Sequence, residues 1–61
     1  MYYAIEIIGA RRPRYCIKRV TERGLVIPVD GKAYRTEEAA RAAAAALGIQ
    51  IEKTGDLYEI I

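Results

Sequence analysis

The chain contains no His, Ser, Asn, Trp or Phe, and it has one Cys and one Met. Each gap closes a class of chemistry. Without His, no Ser–His or Cys–His relay can be assembled. A single Cys excludes an internal disulfide, and with no imidazole beside it no thiolate–imidazole zinc site can form. Long apolar runs are missing as well: the longest uncharged one is 42–47, far short of the ~20 residues of a membrane span. Met1-Tyr2-Tyr3-Ala4-Ile5-Glu6 has neither a basic leader nor a signal-type apolar core. The expectation is a soluble, cytoplasmic protein with no membrane partner, and a lone unpaired Cys agrees with a reducing compartment.

Sixty-one residues allow one small domain over 1–61. A chain of this size buries only roughly 60% of the surface its unfolded form exposes, so its core is thin. Ten Lys plus Arg face eight Asp plus Glu, for a net +2. That total does not by itself imply nucleic acid. Its distribution is more informative. Arg11, Arg12, Arg14, Lys18, Arg19 and Arg23 fall within thirteen residues, with Glu22 the only acid among them. Residues 1–35 sum to +5 and residues 36–61 to −3.

Tyr2–Ile8 carries Tyr3, Ile5 and Ile7 at period two, with Glu6 on the opposite face, and predicts a strand. Gly9 ends it, and Ala10-Arg11-Arg12-Pro13 reads as a turn. Arg14–Val20 predicts a second strand, with Tyr15 and Ile17 on one face and Cys16, Lys18 and Val20 on the other. Pairing Ile7 with Ile17 places Glu6 opposite Lys18 and Ala4 opposite Val20, giving one apolar ladder and one ion pair. After a turn at Gly24, 25–29 predicts a third strand, and Pro28 assigns it to a sheet edge. Asp30-Gly31 is a hairpin dipeptide, so 32–35 is expected to fold back as a short extra strand.

Thr36 is a good N-cap, and Glu37 and Glu38 occupy the first turn, where the helix dipole favours anions. Arg41 is the one charge in 39–47 and is expected to point to solvent. Gly48 ends the helix. Ala40, Ala43, Ala44 and Leu47 form the expected inward stripe. In the tail, 49–52 is a strand, Lys53-Thr54-Gly55-Asp56 a turn, and 57–61 a returning strand. The expected fold is α+β: a single mostly antiparallel β-sheet (β-β-β-(β)-α-β-β) with one Ala-rich helix packed on one face. One short helix cannot roof five strands. The uncovered face would carry Tyr2, Ala4, Ile8, Cys16, Val20 and Val26, an apolar set that suits a homodimer or a protein partner.

Cys16 reads as a small core residue, because no His is present to activate it. The tyrosines read as core fillers in a chain lacking Phe and Trp. Glu37 and Glu38 are adjacent in a helix and diverge by about 100°, which suits dipole residues rather than an acid–base pair. No catalytic residue, metal ligand or small-molecule cofactor is expected, and the chain is read as a non-enzymatic binding module. The most specific reading is nucleic-acid contact, DNA or RNA, through the basic first hairpin. Arg11, Arg12 and Arg14 would meet phosphates, with Lys18, Arg19 and Arg23 in support. A two-stranded ribbon fits a major groove, and Tyr15 could stack on a base. The alternatives are a solvated turn with Tyr15 in the core, and a homodimeric or partner-binding domain using the apolar sheet face or the alanine helix.

The stretch Lys32-Ala33-Tyr34-Arg35-Thr36-Glu37-Glu38-Ala39-Ala40-Arg41-Ala42 resembles the strand-to-helix junction of three-stranded DNA-binding domains. Among these are the arm-binding domains of tyrosine recombinases and the plant ethylene-response type. The resemblance implies a sheet in the major groove with a helix behind it. The hairpin expected after the helix departs from that pattern, and no site residue is carried over.

Overall fold

The computed structural model describes residues 1–55. The elements run β1 (Tyr2–Ile8), β2 (Arg14–Val20), β3 (Val26–Pro28), α1 (Glu37–Ala46) and β4 (Ile51–Gly55). The four strands form one sheet in the order β3-β2-β1-β4. β1 pairs antiparallel with β2 and β2 antiparallel with β3, whereas β4 lies parallel to β1. The result is an α+β fold on a mixed sheet. Pro28 closes the outermost strand, where its missing N–H interrupts no ladder.

The β1–β2 register differs from the expected one by two residues: Ile5, not Ile7, faces Ile17, and Ile7 faces Tyr15. The connection is the reason. Gly9 turns the chain at φ +93° and Pro13 cannot donate to a ladder, so the strands part after the Ile8–Arg14 pair and 9–13 form a five-residue loop. A Cβ at Gly9 would sit 3.4 Å from the Arg12 carbonyl oxygen, at a φ that side chains rarely adopt. A slip of two preserves which residues share a face. The expected Glu6–Lys18 ion pair therefore still forms, diagonally, with Lys18 Nζ 3.8 Å from Glu6 Oε1.

Thr36 caps α1 as its sequence predicts, its Oγ1 accepting from the Ala39 N–H at 3.1 Å. Gly48, at φ +74°, follows the C-cap Leu47 and lets the Ile49 N–H return to the Ala44 carbonyl. Ala40 and Ala44 are fully buried. Ala43 is half-buried and Leu47 is 55% exposed, so the inward stripe is narrower than the four residues expected. Arg41 is exposed, as expected, but it also holds two side-chain partners. Its Nε donates to Glu37 Oε2 at 2.9 Å and its Nη2 to Thr54 Oγ1 at 2.8 Å. Thr54 is the register partner of Ile5, so this bond places α1 on the Ile5–Ile17 face of the sheet. Both isoleucines are essentially sealed there. Arg41→Ala should lose about 0.5–1 kcal/mol, because Arg41 is half exposed and its bonds compete with water. A double-mutant cycle with Thr54→Val in urea checks this, and strictly additive losses would contradict the tie.

Two expected strands are revised. Residues 32–35 form no strand; they contribute a single bridge between Tyr34 and Tyr15. Asp30 is the cause. Its carboxylate accepts from the Lys32 N–H at 3.0 Å and from the Tyr34 hydroxyl at 2.6 Å, closing a side-chain turn in place of a two-residue hairpin. The segment that carried the resemblance thus contains no strand leading into the helix. In the tail, β4 runs through Lys53, Thr54 and Gly55, where a turn was expected. The parallel ladder to β1 supplies the backbone partners that hold these residues extended, with an irregularity between Tyr3 and Ala4. The returning strand expected at 57–61 lies outside the described residues.

The Tyr34 hydroxyl, with the Lys32 amide and against the opposing effect of burial, holds the Asp30 carboxyl below its ordinary value of 3.8. A depressed carboxyl pKa stabilises the fold above its unfolded value, and the gain disappears as pH falls through the folded value. The stability difference between the natural chain and Asp30→Asn should therefore be constant near neutrality and shrink below about pH 4. Urea midpoints across that range test it, and a gap unchanged down to about pH 2 would contradict the assignment.

Candidate nucleic-acid interface

The basic residues do not gather at one place. Arg11 and Arg12 lie in the 9–13 loop and Arg14 opens β2, all three exposed at the same end of the sheet. Arg19 lies at the other end of β2, paired with Tyr3, and Arg23 occupies the turn that follows. Five residue steps of extended strand separate Arg14 from Arg19, about 17 Å. Lys18 sits between them, with its side chain only 16% exposed and engaged with Glu6. Register parity also divides them: Arg14 and Lys18 lie on the face away from the helix, and Arg19 lies on the helix face.

The two groups differ in character. Among the described residues, the ion pairs are Lys18–Glu6 and Arg41–Glu37, and no carboxylate of those residues neutralises Arg11, Arg12 or Arg14. Ile8, 48% exposed, stands across from Arg14. At the far end, Arg19 and Arg23 share a shallow groove with Met1, Thr21, Glu22 and Leu25. Met1 and Leu25 are each about 60% exposed, so this groove is apolar as well as basic and contains an acid.

Sequence reading paired Glu6 with Lys18 but missed its burial. It is 2% exposed, and its Oε2 has no hydrogen-bond partner among the described residues. The signal available was its place at the middle of a central strand, flanked by Ile5 and Ile7. Cys16, directly across from it, is half-buried. Tyr15 is half-buried too and paired through its backbone with Tyr34, with N–H···O distances of 2.8 Å in both directions.

No group of three or more acidic, Cys or His residues that could hold a metal exists among the described residues. No helix among them is long and apolar enough to cross a membrane. Comparison with family models, curated proteins and solved structures finds no match to the chain.

Proposed function

We propose that the chain is a non-enzymatic binding module that contacts nucleic-acid phosphates through Arg11, Arg12 and Arg14. The carrying observation is the concentration of three exposed guanidinium groups at one end of the sheet, none with a carboxylate partner among the described residues. An unpaired guanidinium retains its fork of N–H donors for phosphate oxygens, and Arg suits that bidentate geometry better than Lys. Lys18 is removed from the contact by its bond to Glu6. Arg19 and Arg23 would meet a nucleic acid only where it extends along the sheet.

Three neutralised phosphates on a duplex give a log–log salt slope of about −3. Fluorescence anisotropy between about 50 and 200 mM salt measures it. Replacing Arg11, Arg12 and Arg14 together by Ala should flatten the slope by two or three units and leave the fold intact, since the loop contributes no buried side chain. Arg23→Ala, at the opposite end, should change the slope by less than about one unit. A second reading, a homodimeric or partner-binding domain, is supported by the exposed side of the alanine helix, where Ala42, Ala45 and Ala46 lie; the sheet face away from the helix is already covered, with Ala4 0% and Val20 8% exposed. Absence of binding at the low-salt limit would leave that reading in place.

A further inference from the structure

We infer that the sheet holds a second site at its Met1 end, for a free single-chain amphiphile with a carboxylate head. This site stands apart from the phosphate contact proposed above, which lies at the 9–13 end. Ile27, Arg19 and Tyr3 form one row across β3, β2 and β1. The row shares the helix face with the Ile5–Ile17 pair, two residues away along each central strand. Ile5 and Ile17 are sealed, whereas Arg19 is exposed and Tyr3 and Ile27 are half-buried. The helix closes one row and leaves the next one open.

Two depressions border Arg19 in that open region. One, about 380 Å³, is lined by Met1 and Leu25 together with Thr21, Glu22 and Arg23. The other, about 270 Å³, is lined by Tyr3, Ile27, Pro28 and Val29. The first falls within the ~300–1,000 Å³ of small-ligand sites, which combine apolar walls with a few fixed polar groups. Met1 is 62% and Leu25 60% exposed, so an aliphatic chain laid on them removes apolar surface from water on both partners. The backbone beneath Leu25 is pinned. Its N–H donates to Thr21 Oγ1 at 3.1 Å, and its carbonyl accepts from the Thr21 N–H at 2.9 Å. Gly24, at φ +84°, closes the turn with its own N–H on the Thr21 carbonyl at 3.0 Å. A wall already held in place costs a ligand little ordering entropy.

Charge at the groove selects the head group. Arg19 and Arg23 set two guanidinium groups against the single carboxylate of Glu22, which leaves the lining net positive. Thr21 adds a donor. Accepting from Leu25 uses a lone pair of its hydroxyl oxygen and leaves the O–H to give. Arg19 and Thr21 are two positions apart, so they project to the same side. A carboxylate can take the N–H fork of Arg19 and the Thr21 O–H together, with its chain along Met1 and Leu25. The volume holds one chain, which commits the site to a free molecule rather than a bilayer.

The test follows amide chemical shifts of the full chain titrated with octanoate, octanol and octyltrimethylammonium, each below its aggregation concentration. Octanoate should give saturable shifts centred on Arg19, Thr21, Gly24 and Leu25, with affinity at least about fivefold above either of the others. Arg19→Gln should weaken octanoate about tenfold and leave octanol within about twofold, because it removes a charge-assisted bond. Leu25→Ser should weaken all three. Both positions are exposed, so both variants should match the circular dichroism melt of the natural chain. Replacing Arg11, Arg12 and Arg14 by Ala should leave octanoate binding unchanged, so this site and the phosphate contact fail separately. Shifts that spread over the chain without saturating overturn the inference, as does equal binding of the ammonium amphiphile. Anionic phospholipid vesicles that shift these amides where octanoate does not would assign the surface to a bilayer and overturn it too.

Discussion

Lys18→Met should destabilise the domain by about 2–4 kcal/mol, although it trades a charge for an apolar side chain of similar length. The partner left behind is Glu6, whose side chain is 3% exposed and whose Oε2 already lacks a hydrogen-bond partner among the described residues. Removing one member of a buried pair strands the other charge in low dielectric, which costs up to about 3–5 kcal/mol where burial is complete. The range here is lower because Lys18 is 16% exposed and the separation is 3.8 Å. Removing both charges has the opposite sign. Glu6→Leu combined with Lys18→Met should return stability to within about 1 kcal/mol of the natural chain, or above it, because the pair's desolvation penalty disappears with the pair. Urea unfolding followed by far-ultraviolet circular dichroism reads both. A Lys18→Met loss below about 0.5 kcal/mol would show that water reaches Glu6.

Ile17→Ala should remove a large share of the domain's stability. Ile17 is 1% exposed, on a central strand, and faces Ile5 across the ladder beneath the helix. Truncating such a side chain costs about 2–5 kcal/mol, because the lost transfer energy is joined by a cavity the surroundings do not fill. The wall opposite includes Ala40 and Ala44, both fully buried, and alanine has no side chain that could swing into the space. At roughly 0.05–0.15 kcal/mol per residue, 61 residues carry only about 3–9 kcal/mol in total. Ile8→Ala is the matched comparison: the same deletion at a 48% exposed site should stay within about 0.5 kcal/mol. An Ile17→Ala loss no larger than that of Ile8→Ala would show that the core is elsewhere.

The features legible in the sequence are those decided within a few residues. Period-two alternation located β1 and β2 residue for residue, and Pro28 assigned the third strand to an edge. Thr36 and Gly48 bracketed the helix because a cap needs a side-chain acceptor at one end and positive φ at the other. Parity survived a slip of two, so the faces and the Glu6–Lys18 pair were readable although the register was not. For the candidate site, the sequence disclosed which arginines cluster along the chain. It could not disclose that seven residues of extended strand hold Arg14 and Arg23 at opposite ends of the sheet.

Tertiary structure alone decided the rest, because each remaining feature depends on a partner distant in sequence. Lys53-Thr54-Gly55 has turn composition, yet it is held extended by the parallel ladder to β1. Arg41 looks like a solubilising charge on an alanine helix until Thr54, thirteen residues on, is brought beside it. Asp30-Gly31 has hairpin chemistry, but the Asp30 carboxylate bonded to the Tyr34 hydroxyl diverts the chain and leaves one bridge where a strand was expected. Local propensities differ by at most about 1 kcal/mol per residue. A ladder or a buried contact that recruits a distant segment outweighs them, and those segments meet only in the folded chain.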